Sequence, residues 1–308
     1  MIVALSGGTG GAKLVEGLTS ELDPAELTII CNTGDDTIFH GLHVCPDLDT
    51  IVYTLAGCND AAKGWGIEND SFAALEQLGR LGNDTWFRLG DKDLAMHITR
   101  TRLLNEGERL SAVTDQMRRA LGVRSTILPM TDDRVETRVT TAQGEIPFQE
   151  YFVRQRWSSE VSAVCFAGVE TCQPAPGVLD AIQQAELIII CPSNPVTSIG
   201  PILAVPGIRA AIAASSVPVV GVSPIVDRAA ISGPAHKLMA ATGFEASAYG
   251  VAKCYADLLD TLLVDKKDRT LSGPIADLNI ACIPTEIRMS CHADKRRLAR
   301  EVLAWAQK

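Results

Sequence analysis

No apolar run in the sequence approaches the ~20 residues that a membrane-spanning helix requires. No charged leader precedes an apolar signal segment either, since Met1 opens directly onto Ile2-Val3-Ala4-Leu5. A cytoplasmic protein with no membrane partner is therefore expected. Cations are scarce as well: 28 Lys and Arg stand against 37 Asp and Glu, a net charge of −9. Without a basic footprint nucleic acid is not an expected partner, and any phosphate chemistry must rest on helix N-termini, a few placed cations or a metal. The nine cysteines (31, 45, 58, 165, 172, 191, 254, 282 and 291) contain no C-x-x-C pair. Their odd number and their places inside apolar runs argue for reduced thiols and against a disulfide framework. Also missing are a Walker loop, a clean G-x-G-x-x-G and a G-x-S-x-G elbow, which weakens P-loop, dinucleotide-oxidoreductase and serine-hydrolase readings.

What the chain does have is apolar substance, 46% of 308 residues, ample for a packed core. Its length suits a single α/β domain with a subdomain. Ile2–Ser6, a glycine loop, leucines 14, 18 and 22 at helical spacing, and Leu27–Cys31 read as strand, loop, helix, strand. Uninterrupted apolar strands alternating with helices predict a mostly parallel sheet covered on both faces, a Rossmann-like fold. The same grammar returns at 186–191 and 217–224, with 161–168 as a further strand. Between them, 72–82, 93–107 and 110–122 carry helical apolar spacing and end at glycine, and 137–153 resembles a β-hairpin turning near Gln143-Gly144. The expected division is a core of about 1–55 and 158–308 with an inserted helix-rich cap of about 56–157.

Four constellations could carry chemistry. Ser6-Gly7-Gly8-Thr9-Gly10-Gly11-Ala12-Lys13 places a glycine loop between the first strand and a helix, where backbone N–H groups and the helix dipole favour phosphate. A turn that merely tightens strand–helix packing is the bland alternative. Asp47 and Asp49, after the polar stretch Asn32-Thr33-Gly34-Asp35-Asp36, alternate about Leu48 and would face one side of an extended segment. Paired so, they suit Mg²⁺ ligation or the orientation and deprotonation of a hydroxyl, although Asp47 could equally cap a helix. Arg88-Leu89-Gly90-Asp91-Lys92-Asp93 crowds four charges around one glycine, as a turn beside a phosphate site would, or a solvated surface turn. Last, Cys191-Pro192-Ser193-Asn194-Pro195 runs on to Ser198 and follows an apolar strand. Ser193, Asn194 and Ser198 offer hydrogen bonds to a base, ribose or phosphate, and a second such loop at Ser223-Pro224 marks a crevice edge. His40, His43 and His97 lack partners at zinc spacing.

With these residues in view, SGGTGGAKLVEGL, NTGDD, PDLDTIVYTLAG, WGIENDSF, RLGDKDLAMHI, ILPMTDD, CPSNPVTSIGPILAVPGIR, GVSPI and SGPAHKLM resemble the 2-phospho-L-lactate transferase family of coenzyme F420 biosynthesis, in family order from residue 5 to about 265. The resemblance implies a Mg²⁺-dependent transferase. Its donor would be a guanosine diphosphate adduct of a small phosphorylated acid (2-phospho-L-lactyl or enolpyruvyl). Its acceptor would be the ribityl hydroxyl of the deazaflavin Fo, with GMP released. It further implies that Asp49 and Arg88 meet the deazaflavin, with Asp47 and Asp49 catalytic and at the metal. Nucleotide phosphates would then fall to Gly7, Gly8, Thr9, Gly10, Lys13, Asn32, Asp91, Lys92, Ser193, Asn194 and Ser198. A homodimer is the expected assembly. A rival reading is a non-catalytic nucleotide-binding regulator of the related gluconeogenesis-factor family, which shares the GGTG start. That family typically carries a DDGGSSG stretch where this chain has Asp35-Asp36-Thr37-Ile38-Phe39-His40-Gly41, and it lacks PDLDT.

Overall fold

Unbroken aliphatic runs form the middle of the central sheet in the computed structural model, which describes residues 1–231 and 233–307. Its seven strands are β1 (Ile2–Ser6), β2 (Leu27–Cys31), β5 (Thr126–Pro129), β9 (Leu187–Ile190), β10 (Val219–Val222), β13 (Thr261–Asp265) and β14 (Ala281–Thr285). All pair in parallel, in the order β14-β13-β10-β9-β1-β2-β5. The chain thus builds outward in one direction through β2 and β5, returns, and builds outward in the other from β9. That reversal, between β1 and β9, is the topological switch point of a Rossmann-like sheet.

Alternate side chains of the inner strands enter two cores, as a sheet covered on both faces demands. Val3, Leu5, Ile30, Ile188 and Ile190 join one core, and Ala4, Ile29, Cys31, Leu187 and Ile189 join the other. Helix α1 (Gly8–Thr19) covers the second face together with α2 (Pro46–Leu55) and the C-terminal helix His292–Leu303. Ser232, first residue of the SGPAHKLM segment, and Lys308 lie outside the described residues.

Three smaller sheets decorate this frame. Strands β3 (Thr37–Phe39) and β4 (Leu42–Val44) form an antiparallel hairpin inside the β2–α2 connection. Strands β6 (Glu136–Thr141) and β7 (Gly144–Pro147) form the expected hairpin, and β8 (Val161–Ala167) pairs antiparallel with β6. Strands β11 (Ile225–Val226) and β12 (Ala229–Ala230) make a two-residue ladder. The middle helices are α3 (Ala73–Arg80), α4 (Asp91–Asn105) and α5 (Leu110–Ala120), each stopping two residues before Gly82, Gly107 or Gly122.

β5, inside the expected 56–157 insertion, belongs to the central sheet, whereas β8, assigned to the core, completes the small sheet. The physical reason is composition: β8 (VSAVCFA) is half-exposed along its length, unlike the wholly buried LIII of β9.

Candidate active site

At the switch point the loops that follow β1 and β9 touch. The Gly7 N–H donates to Ser193 Oγ at 3.2 Å, tying the glycine loop to the CPSNP loop. A side chain at Gly10 would collide with the Pro192 carbonyl, and one at Gly7 with the Asp47 carboxylate and Ser198. Glycine here is therefore a condition of the close approach of the two loops. Asn194 caps the Pro195–Ile199 turn, accepting from the Val196 N–H at 2.9 Å, so its carbonyl oxygen is already engaged. Thr9 and Lys13 stand half-buried on the first turns of α1. Gly7, Gly8, Asn32, Asp47, Ser193 and Ser198 come together here.

Asp47 is the chemical centre of this crevice. Asn32 Nδ2 donates to its Oδ2 at 2.9 Å and to the Thr197 carbonyl at 3.1 Å, while the Gly8 N–H also reaches the carboxylate. Burial pushes the Asp47 carboxyl up to about 6 against the pull of those donors. Asp35 is buried beside it, and burial together with the Asp47 charge drives its carboxyl well above the usual range. Its Oδ1 has no hydrogen-bond partner, nor do the buried hydroxyls of Ser6 and Thr33. Two buried carboxylates raised together, one with an unpaired oxygen, match the all-oxygen donors that a hard divalent cation takes.

Asp49 faces elsewhere. Both aspartates lie in the first turn of α2, which starts at Pro46, so the segment is not extended. Two helical steps turn the side chains about 200° apart, and the expected Asp47–Asp49 pair is not formed. Asp49 is instead clamped by the buried Arg100 of α4, NH1 donating to Oδ2 at 3.1 Å and NH2 to Oδ1. Its ligand atoms, with those of Asp93 and His97, lie within 4.8 Å of one another, so Asp49 is grouped with residues of α4 and not with Asp47.

The 88–93 turn is mostly occupied by the protein itself. Asp91 accepts from Ser71 Oγ at 2.6 Å and from the Ala73 and Ala74 N–H groups at 3.0 Å, which makes it the cap of α3. Lys92 Nζ donates to the Glu68 and Asn69 carbonyls at 3.1 and 3.0 Å. These contacts join both residues to the 68–74 segment and not to the glycine or CPSNP loop. Arg88 is exposed, and its guanidinium lies 4.4 Å over the Phe72 ring. The β3–β4 hairpin also brings ligand atoms of Asp36, His43 and Cys45 within 4.8 Å of one another, joined by hydrogen bonds through Asp36 Oδ2.

The chain matches the family described as 2-phospho-L-lactate transferase CofD over residues 2–299. It belongs to the CofD family. It is 47% identical to the phosphoenolpyruvate transferase of Streptomyces griseus, covering 99% of this chain and 98% of that one. It is 43% identical to the 2-phospho-L-lactate transferase of Methanothermobacter thermautotrophicus, covering 98% and 97%. A UPF0052 family protein of Bacillus halodurans shares the fold, with a TM-score of 0.66 at 18% identity over 98% of each chain. No helix among the described residues of this CofD-family chain is long and apolar enough to cross a membrane.

Two parts of this CofD-family site escaped the sequence reading. Asp35 lay within a quoted polar stretch without a role. The Arg100 clamp was missed because α4 was read for apolar periodicity, whereas its buried face carries Asp93, His97 and Arg100 while Ile98 is 54% exposed. Charged residues at i, i+4 and i+7 were the available signal.

Proposed function

We propose that this CofD-family transferase moves a phospho-acid from a guanosine diphosphate adduct onto the terminal ribityl hydroxyl of the deazaflavin Fo. A bond forms between the hydroxyl oxygen and the phosphorus that carries the acid; the bond from that phosphorus to GMP breaks, and the hydroxyl gives up its proton. Such transfer depends on positioning and charge neutralisation more than on covalent catalysis. The observation that carries the reading is the crevice at the switch point, where the glycine loop, the CPSNP loop and buried Asp47 converge.

In this reading the start of α1 and Ser193 hold the nucleotide's phosphates, helped by N–H groups that point out of the helix. Asp47 and Asp35 would hold Mg²⁺, which supplies neutralising charge to the diphosphate when bound. Asp49 orients the Fo hydroxyl: a carboxylate has about four acceptor sites, and Arg100 takes two of them. Arg88 stands at the acceptor side, where its planar guanidinium suits the deazaflavin ring. Purified protein incubated with Fo, Mg²⁺ and the lactyl, enolpyruvyl or glyceryl donor should yield GMP and Fo enlarged by one phospho-acid, read by mass spectrometry. Absence of product with all three donors would overturn the reading.

A further inference from the structure

The buried face of α4 holds a row of polar groups that the reaction as described does not use. Beyond clamping Asp49, Arg100 NH1 donates to the His43 carbonyl at 3.2 Å and lies 3.3 Å from His97 Nδ1. On the far side of the ring, His97 Nε2 is 3.2 Å from Asp93 Oδ1. That same oxygen accepts the Tyr53 hydroxyl at 2.5 Å. Tyr53 is one turn beyond Asp49 on α2, so the chain of contacts leaves α2 at Asp49, crosses α4 through three residues and returns to α2. All five residues are buried.

Holding two helices together does not call for this arrangement. A buried ion pair carries a desolvation cost that well-packed apolar residues would avoid, so charge here is weak evidence for stability. What a guanidinium fork does supply is orientation: two parallel N–H donors fix the plane of a carboxylate, as a point charge cannot. His97 and the His43 carbonyl, in turn, fix the guanidinium.

We propose that Arg100 is the positioning residue for Asp49, and that His97, Asp93 and Tyr53 hold its guanidinium so that Asp49 presents its remaining acceptor sites to the Fo hydroxyl. This rests on the role given to Asp49 under Proposed function. It also divides the labour of the two aspartates on α2: the cation belongs to the Asp47 side and the acceptor to the Asp49 side.

The test is a double-mutant cycle between His97→Gln and Asp49→Asn, with Arg100→Lys alongside, each measured for kcat, KM for Fo and the thermal shift given by GDP. His97→Gln should lower kcat/KM for Fo about tenfold in the wild-type background and cause no further loss in the Asp49→Asn background, within the range of direct coupling. Arg100→Lys should lose at least as much while GDP protection is retained, which separates misorientation from unfolding. Should Arg100→Lys fail to fold, Asp93→Asn, one contact further from Asp49, takes its place with the same expectation at smaller size. Multiplicative losses from His97→Gln and Asp49→Asn, or full activity in Arg100→Lys, would mean that the network is only structural. An unimpaired Asp49→Asn enzyme would instead sink the role of Asp49 itself, and the proposal with it.

Discussion

Asp47 shows what a buried carboxyl costs its own fold. Burial raises its carboxyl to about 6, so above that pH the ligand-free protein holds the group ionised against its surroundings. The sign follows from linkage: between the ordinary aspartate range near ~4 and about 6, the folded chain binds the proton and the unfolded chain does not, so stability falls as pH rises through that window. Asp47→Asn should therefore raise the melting temperature of the ligand-free protein at pH 7.5, by the equivalent of about 1–2 kcal/mol after a lost hydrogen bond is discounted. The gain should disappear toward pH 4, and transferase activity should be lost at every pH. Equal or lower stability at pH 7.5 would contradict the environment assigned to this carboxyl. Arg88 makes a complementary case. Because its only described ring contact is with Phe72, Arg88→Ala should raise KM for Fo while leaving the melting temperature nearly unchanged; a fall in melting temperature with unaltered Fo kinetics would make it structural.

Elements explain which parts of the site were legible. The inner strands could be read because LTIIC and LIII leave no face for water. The glycine loop was legible as a connection, since it follows one such strand and opens a helix, but its partner Ser193, 186 residues away, was not. Helix α2 was misjudged because it begins at Pro46 and not after Asp47, and two residues of register decide whether Asp47 and Asp49 share a face or oppose. Pro at the first helical position was the overlooked cue. On α3, Asp91 reached back across 17 and 18 residues to cap a helix it follows in the chain, a contact no local pattern announces. Its hydrogen bonds with Ser71 and with the Ala74 and Ala73 N–H groups hold its carboxyl below the usual range. Asp91→Ala should accordingly lower the melting temperature by a few degrees near neutrality while leaving GDP affinity unchanged. The difference should close in acid, once pH falls through that lowered value and the wild-type cap is protonated. Weakened GDP binding would return Asp91 to the phosphate site.

For the molecule as a whole, the parallel sheet and its switch point set the site, and the sheet order was only partly foreseeable. Sequence alternation implied a parallel core, but nothing local told β5, a central-sheet edge strand, from the β-segments of the insertion around it. Both sheet edges carry a proline, Pro129 and Pro284, where a missing donor also discourages pairing with further strands. Because the crevice is built from loops of β1 and β9, a nucleotide that fills it should stabilise the whole fold. GDP at a hundredfold excess over Kd should protect by ~2.7 kcal/mol, measured as a concentration-dependent melting temperature. Equal protection by CDP would argue against a guanine-selective pocket.

The pairing of β1 with β9 also bears on the order in which the protein can come into being. Residues 7 and 193 join the loops after β1 and β9, and helix α1 rests through Gly17 on the backbone of Lys295. Glu16 and Glu21 of the first helical region are ion-paired with Lys295, Arg296 and Arg300. On a ribosome, where chains emerge at about 5–20 residues per second, the first helix made must wait for nearly the whole message before its partners exist. A nascent chain stalled before residue 187 lacks β9 and the loop that meets Gly7, and one stalled before residue 292 leaves the back of α1 bare.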